Sequence, residues 1–392
     1  MGRVEDFTMV RNSWIERLTH LRLSYVNSFL ILGMLFSFFG YLPSVTQGSQ
    51  GPKDEWICPD KGGRLIWGVK GGVVFAVWPT GFRKEGVGGP RGLFRIGYER
   101  DGKITLVNFV AVEPIVGNKR GFSELEPSSV AEEDKPTRLR RGKFIWPSSE
   151  YPPRDVENRA STIEDMRRLT EPGWFSHPSP GVEQLNVAFD VEKFNSGAHP
   201  WIVASIRSDQ PWEVIFTIHA APDSARMQSC ILTATMGNYI RARYLWLCDR
   251  VVYSRTLWPD PAAAGVGPVG FTRPEFFEES SMSRLRDGSL IVTITTDEDN
   301  PSKVVAKPAN WHYRGLKVTQ YWRAYPHQEH PLRIRVNGRF TYWMSRSPIP
   351  NGVAYENFEL MQDYFDGQRF IFGVTELSPT QFELTKEPPE PP

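Results

Sequence analysis

From Arg64 onward the chain is a succession of short apolar or alternating runs broken by glycine and proline. Clear examples are "RLIWGV" (64–69), "VVFAVW" (73–78), "GLFRIGY" (92–98), "KITLVNFVAV" (103–112) and "WIVASIR" (201–207). Further on come "WEVIFTIH" (212–219), "SLIVTITT" (289–296), "GLKVTQYW" (315–322), "GRFTYW" (338–343) and "RFIFGVT" (369–375). Each is rich in β-branched and aromatic residues and bounded by turn formers, which is the pattern of strands. Roughly sixteen such segments occur, and no stripe of helical period persists among them, so the pattern predicts an all-β chain.

Two regions depart from this rhythm. Residues 123–182 are polar and proline-rich and read as a long surface excursion, with a short capped helix at "STIEDMRRL" (161–169). At the N-terminus, Arg3, Arg11, Arg17 and Arg22 precede the uncharged apolar run "FLILGMLFSFFGYL" (29–42). A basic segment, an apolar stretch and a polar exit describe a secretory signal, and the length also suits an uncleaved membrane anchor. Either reading makes an apolar N-terminal helix of residues 1–45 and sends the remainder out of the cytoplasm, to a periplasmic, extracellular or outward-facing anchored location. The pattern thus divides the chain into that leader, a linker at 46–63, a β domain at 64–380 and a proline-rich disordered tail at 381–392.

Many sequential strands in a domain of this size predict two large antiparallel sheets packed face to face. In strand number, domain size and aromatic richness, residues 64–380 resemble the galactose-mutarotase-like β-sandwich of carbohydrate-active proteins. The resemblance implies a large antiparallel two-sheet sandwich; it carries no catalytic role to any residue here.

Composition then narrows the partners. The 392 residues balance 46 Lys and Arg against 45 Asp and Glu, for a formal charge of +1, which excludes nucleic acid as the main ligand. Ionic recognition must therefore be local. The membrane enters only through the N-terminal segment.

The stretch 310–343 concentrates histidine, arginine and tyrosine. Asn337-Gly338 predicts a two-residue hairpin turn, since such turns need positive φ at both central residues. In that register Arg333, Arg335, Phe340 and Tyr342 share one face, and Leu332, Ile334, Val336 and Trp343 the other. In the preceding strand Tyr321 and Arg323 alternate with Val318, Gln320 and Trp322. Were the two polar faces joined, arginines would interleave with aromatics. Aromatic faces stack on the C–H faces of sugars and guanidinium forks pair with carboxylate or sulfate, so an anionic polysaccharide is the expected ligand. Arg333, Arg335, Phe340 and Tyr342 are the expected substrate-binding residues. The same surface also reads as a solvated sheet face on which arginine stems cover rings.

Candidate catalytic groups are fewer. His312, in "NWHY", stands before the Tyr321 strand and would serve as base, with Tyr321 as acid and Arg323 as neutraliser of a uronate carboxylate, in metal-free lyase chemistry. Glu113 interrupts the apolar run "VAVEPIV" and must be paired or perturbed there. A glycosidase would instead need two carboxylates, for which Glu113, Glu124, Glu126, Glu356 and Glu359 are available. His327 and His330 in "HQEH" are bracketed by Pro326 and Pro331 without a third ligand nearby, so no metal and no cofactor is expected. Cys230 and Cys248 lie symmetrically about a predicted hairpin, where they either bridge or fill the core, with Cys58 left over. No nucleophile elbow, phosphate loop or zinc-protease motif occurs. These observations predict an exported carbohydrate-recognising protein, a lyase or hydrolase if it is an enzyme; the alternative is a noncatalytic envelope scaffold that meets another protein.

Overall fold

The computed structural model describes residues 55–59, 65–77, 94–117, 145–148, 172–191, 193–194, 196–237, 239–266, 270–296, 304–305, 312–313, 316–342 and 346–382. At 145–148, 304–305, 312–313 and 381–382 the description is of backbone alone. The chain forms two compact units, 1–49 and 50–392, and every described residue belongs to the second. The leader, the predicted helix at 161–169 and the tail beyond 382 lie outside the described residues.

Strands make nearly all of the fold. β1 (Trp56–Ile57), β2 (Ile66–Val69), β3 (Val73–Val77), β4 (Phe94–Arg100) and β5 (Lys103–Val116) come first. Then follow β6 (Ile145–Ser148), β7 (Trp174–Ser179), β8 (Val182–Val191), β9 (Pro200–Arg207), β10 (Gln210–Ala220), β11 (Met227–Thr235), β12 (Ala242–Trp246) and β13 (Val251–Tyr253). One helical turn, α1 (Ser254–Leu257), leads to β14 (Glu275–Glu278), β15 (Ser283–Arg284), β16 (Leu290–Thr296), β17 (Val304–Val305) and β18 (His312–Tyr313). The last are β19 (Thr319–Ala324), β20 (Arg333–Arg339), β21 (Ala354–Met361) and β22 (Gln368–Thr375).

The all-β expectation holds. Among the described residues twenty strands join in one antiparallel sheet, and β17 and β18 form a separate ribbon. Along its hydrogen bonds the sheet runs β1-β2-β3-β4-β5-β11-β21, and β21 carries β20 and then β14 on its other side. One residue pair, Ala242 with Tyr355, links β21 to β12. From there the sheet continues β12-β16-β19-β22-β10-β9-β8, and β6 and β7 share the far side of β8.

Alternation along the strands builds a main core to which both runs contribute. Phe94 of β4 packs on Phe216 of β10 and Phe189 of β8, with ring centroids 5.2 and 5.1 Å apart. Trp322 of β19 donates its indole N–H to the Phe358 carbonyl of β21 at 2.8 Å, which satisfies the only polar atom of a fully buried ring. Asn108 and Gln320, both fully buried, pair across the same core. These two contacts give buried polar side chains partners across the core, where low dielectric makes an unmet group costly.

The structure corrects four sequence expectations. Asn337-Gly338 is no turn: β20 runs straight through it with a bulge, and the Asn337 side chain accepts from the Asn357 backbone N–H at 3.1 Å. Gly338 is required for close packing instead, because a Cβ there would stand 2.8 Å from the Ala354 carbonyl oxygen and 3.0 Å from the Trp258 ring. "GRFTYW" consequently supplies no full strand partner; Thr341 makes an isolated bridge to Pro348. Among the described residues β11 and β12 do not pair, and buried Cys230 and exposed Cys248 are not bridged to each other. Burial holds the Cys230 thiol far above its ordinary range, as expected of a core thiol. The polar excursion also contains structure, since β6 and β7 both fall inside 123–182 and pair with β8.

Candidate functional site

Alternation in β19 sends Val318, Trp322 and Ala324 into the main core and Tyr321 and Arg323 to the other face, where Tyr321 is buried in a second apolar cluster with Tyr244, Trp246, Tyr253 and Ile291. In the register, Tyr321 stands beside Gly373 of β22, which stands beside Glu213 of β10. The Tyr321 ring lies across Gly373, where a Cβ would come 1.8 Å from its ring carbon. Its hydroxyl thereby reaches over an entire strand to donate to Glu213 Oε1 at 2.9 Å. Gly373 keeps that path open.

Arg323 completes the network. Its Nη2 donates to Glu213 Oε2 at 2.5 Å and Gln210 Oε1 at 3.0 Å, and its Nη1 to Asp287 Oδ2 at 2.6 Å and Ser289 Oγ at 3.3 Å. Asp287 Oδ1 is held by the backbone N–H and hydroxyl of Ser289 at 3.0 and 2.6 Å, and its Oδ2 also accepts from Tyr325 Oη at 3.1 Å. Burial decreases inward to outward across the cluster: the Arg323 side chain is 6% exposed, that of Asp287 41%, and Tyr325 53%. Beside it, Arg207 holds both oxygens of Asp209 at 2.8 and 2.7 Å.

The electrostatics separate the two carboxylates. Burial drives the Glu213 pKa up, only partly opposed by Arg323 and Tyr321, whereas at Asp287 the Ser289 hydrogen bonds and Arg323 overcome a smaller burial cost and bring it down. Burial and the Glu213 charge behind it hold the Tyr321 phenol well above its ordinary value. For Arg323, burial acts to lower the pKa, and the attraction of Glu213 and Asp287 reverses it. Tyr321 and Arg323 are therefore committed to protein carboxylates: the phenol is already a donor to Glu213, and the guanidinium charge is already matched.

The remaining expected site residues lie elsewhere. Ile334 and Val336 of β20 point into the same core as Trp322, so Arg333 and Arg335 leave it in the opposite direction from Arg323, and the two polar faces do not join. Arg335 Nη1 binds both oxygens of fully buried Glu359 at 2.5 and 2.6 Å. Glu113, also fully buried, pairs in register with Ile231 on β11 and lies near enough to add to the field at Arg335. Arg333 is exposed and stacks over Phe276 at 5.2 Å. Phe340 packs half-buried against the core and Tyr342 is buried, so neither joins an arginine-lined surface; the turn that would have placed them there does not exist. The His312 backbone pairs with Val305 in the separate ribbon, in a different sheet from Tyr321.

The structure adds groups that the sequence left unmarked. Glu213 occupies an outward position of "WEVIFTIH", so alternation alone could have found it; Asp287, in the turn before β16, gave no such signal. Two histidines are oriented by aspartates: His199 Nδ1 lies 2.6 Å from Asp223, which also meets Lys193, and His219 Nδ1 lies 3.1 Å from Asp366. Among the described residues no three His, Cys, Asp or Glu side chains gather as a metal site. No protein-family model matches this sequence, and a search of curated proteins finds no relative.

Proposed function

We propose that this is an exported carbohydrate-recognising protein, in which the sheet folds over as a two-layer sandwich and sugar binds on the outward face of β19 and β10. The supporting observation is the Tyr325 ring. It is more than half exposed, its hydroxyl is tied to Asp287, and it borders a rigid buried network of Arg323, Glu213 and Tyr321. A fixed aromatic platform with planar acceptors at its edge is what a sugar ring needs, one face for stacking and oriented groups for hydroxyls. Export rests on the basic-then-apolar leader.

Hydrolysis suits the cluster better than lyase chemistry. Glu213 and Asp287 have pKa values moved in opposite directions within one site, the split that acid and base roles require. A glycan array probed with the wild type and with Tyr325→Ala and Asp287→Asn tests recognition: both variants lose binding, and a wild type that binds no arrayed glycan refutes the proposal. The noncatalytic reading draws on β14, which among the described residues pairs only with β20 and exposes Phe276. Removing the exposed ring by Phe276→Ser would abolish a protein contact while leaving glycan binding intact.

A further inference from the structure

We infer that the sugar-binding face continues from Tyr325 along a ledge of rings to Trp201, so that its ligand is an extended glycan chain without carboxylate or sulfate groups. This rests on the carbohydrate reading of the Tyr325 face. From Tyr325 the chain passes through Pro326 to His327, whose ring stacks on Phe365 at 4.7 Å. The His330 ring lies on the same Phe365 at 5.2 Å. Phe365 precedes Asp366, which orients His219, and the His219 ring stacks on Trp201 at 4.1 Å. Ring contacts therefore join His327, His330 and Phe365, and separately His219 and Trp201, with Asp366, the chain neighbour of Phe365, bridging the two groups.

The sheet register places this ledge on the proper side. Glu213, Ile215, Thr217 and His219 are alternate residues of β10 whose intervening neighbours Val214, Phe216 and Ile218 enter the core. Trp201 is the register partner of His219 and its alternate neighbours Ile202 and Ala204 are core, so Trp201, His219, Glu213 and Arg323 all face outward together. Between Glu213 and His219 the strand rises ~20 Å, more than a single sugar ring covers.

Polar groups beside the rings select the charge of the ligand. Asp287 bonds Tyr325, Asp366 bonds His219 and Tyr364, and Asp223 bonds His199. The Asp366 side chain is 67% exposed. Nearby cations are already engaged: Lys193 with Asp223, Arg207 with Asp209, Arg323 with Glu213 and Asp287; Arg369 stands exposed on β22 between the two ends. Carboxylates along a row of rings accept hydroxyl or ammonium donors and repel anions, so neutral or amine-bearing chains fit and uronates do not.

Arrayed neutral, amine-bearing and uronate glycans, each as dimers and as longer oligomers, are titrated against wild type, Tyr325→Ala, Trp201→Ala, Trp201→Phe and Phe365→Ala. The expected result is affinity that rises with length on neutral or amine-bearing chains. Trp201→Ala and Phe365→Ala weaken long oligomers about fivefold while sparing dimers, and Trp201→Phe retains most of the binding. Tyr325→Ala weakens dimers and long chains alike. Length-independent binding, unaffected by changes at Trp201 and Phe365, overturns the ledge and leaves the Tyr325 site standing. Preference for uronates overturns the charge assignment. Absence of binding to every glycan overturns the carbohydrate reading itself.

Discussion

Arg323 on β19 and Arg335 on β20 begin from the same local pattern, an arginine opposite core residues of its own strand that meets a glutamate, from adjacent β21 for Arg335 and from beyond β22 for Arg323. Around Arg335 the carboxylate side is sealed, with Glu359 1% exposed and Glu113 buried nearby, while the Arg335 side chain itself is 15% exposed. Around Arg323 the seal is incomplete: Glu213 is buried, but Asp287 and Tyr325 open to solvent. A closed ion pair contributes register and rigidity to its strands. The same pair with an open rim offers a ligand groups whose positions are already set, which reduces the ordering cost of binding.

The largest expected effect breaks the closed side. Glu359→Ala leaves half-buried Arg335 without the carboxylate that its Nη1 binds, beside fully buried Glu113, and should cost ~3–5 kcal/mol of stability, measured by chemical denaturation, with no direct effect on the Tyr325 face. A cost below ~1 kcal/mol would show that the face is wetter than the structure indicates. Next comes Gly373→Ala. Its Cβ would enter the Tyr321 ring, so the ring must leave, at about 1–3 kcal/mol with loss of the Tyr321–Glu213 bond. Near-ultraviolet circular dichroism reports that displacement; an unchanged spectrum contradicts the packing of ring on glycine.

Acid titration sharpens the contrast within the open site. Asp287 has a folded pKa below its ordinary 3.8, so it contributes stability above that value that is lost as pH falls through the folded pKa. Glu213 behaves oppositely. With its folded pKa above 4.5 the folded state binds the proton more tightly, and stability declines as pH rises from 4.5 through the folded pKa. Melting temperature against pH should therefore rise and then fall across the acid range, and Glu213→Gln should remove the fall while keeping the rise. A wild-type profile that rises monotonically to neutrality would contradict the upward shift at Glu213.

The smallest stability effect belongs to the rim. Tyr325→Phe removes one exposed hydroxyl contact and should alter stability by less than ~0.5 kcal/mol, while glycan affinity drops because the ring loses its tether to Asp287. Thermal unfolding and calorimetry separate the two outcomes. A stability loss as large as that of Gly373→Ala would place Tyr325 in the structural network.

Strand existence and strand facing were legible because they depend on local alternation. The outward placement of Tyr321 and Arg323 opposite Trp322 follows directly from the period of two. Which strands pair was not legible, and the errors trace to that. Asn337-Gly338 has the local chemistry of a turn, yet pairing with β21 on one side and β14 on the other outweighs it, and the glycine is there to let β21 and Trp258 approach. The arginines of β19 and β20 look like one surface in sequence, but they sit on runs of the sheet that share a core and so face apart.

By itself the sequence determined the all-β character of the chain, the alternating faces of strands such as β19, and the near-neutral formal charge, because each depends on composition or on neighbours a few positions away. Tertiary structure alone decided that Arg323 meets Glu213 and Asp287 from strands 110 and 36 residues distant, and that Gly373 clears the way for Tyr321. Such contacts are fixed by strand order and register, which are set by the global burial of side chains rather than by any local preference of the residues that meet.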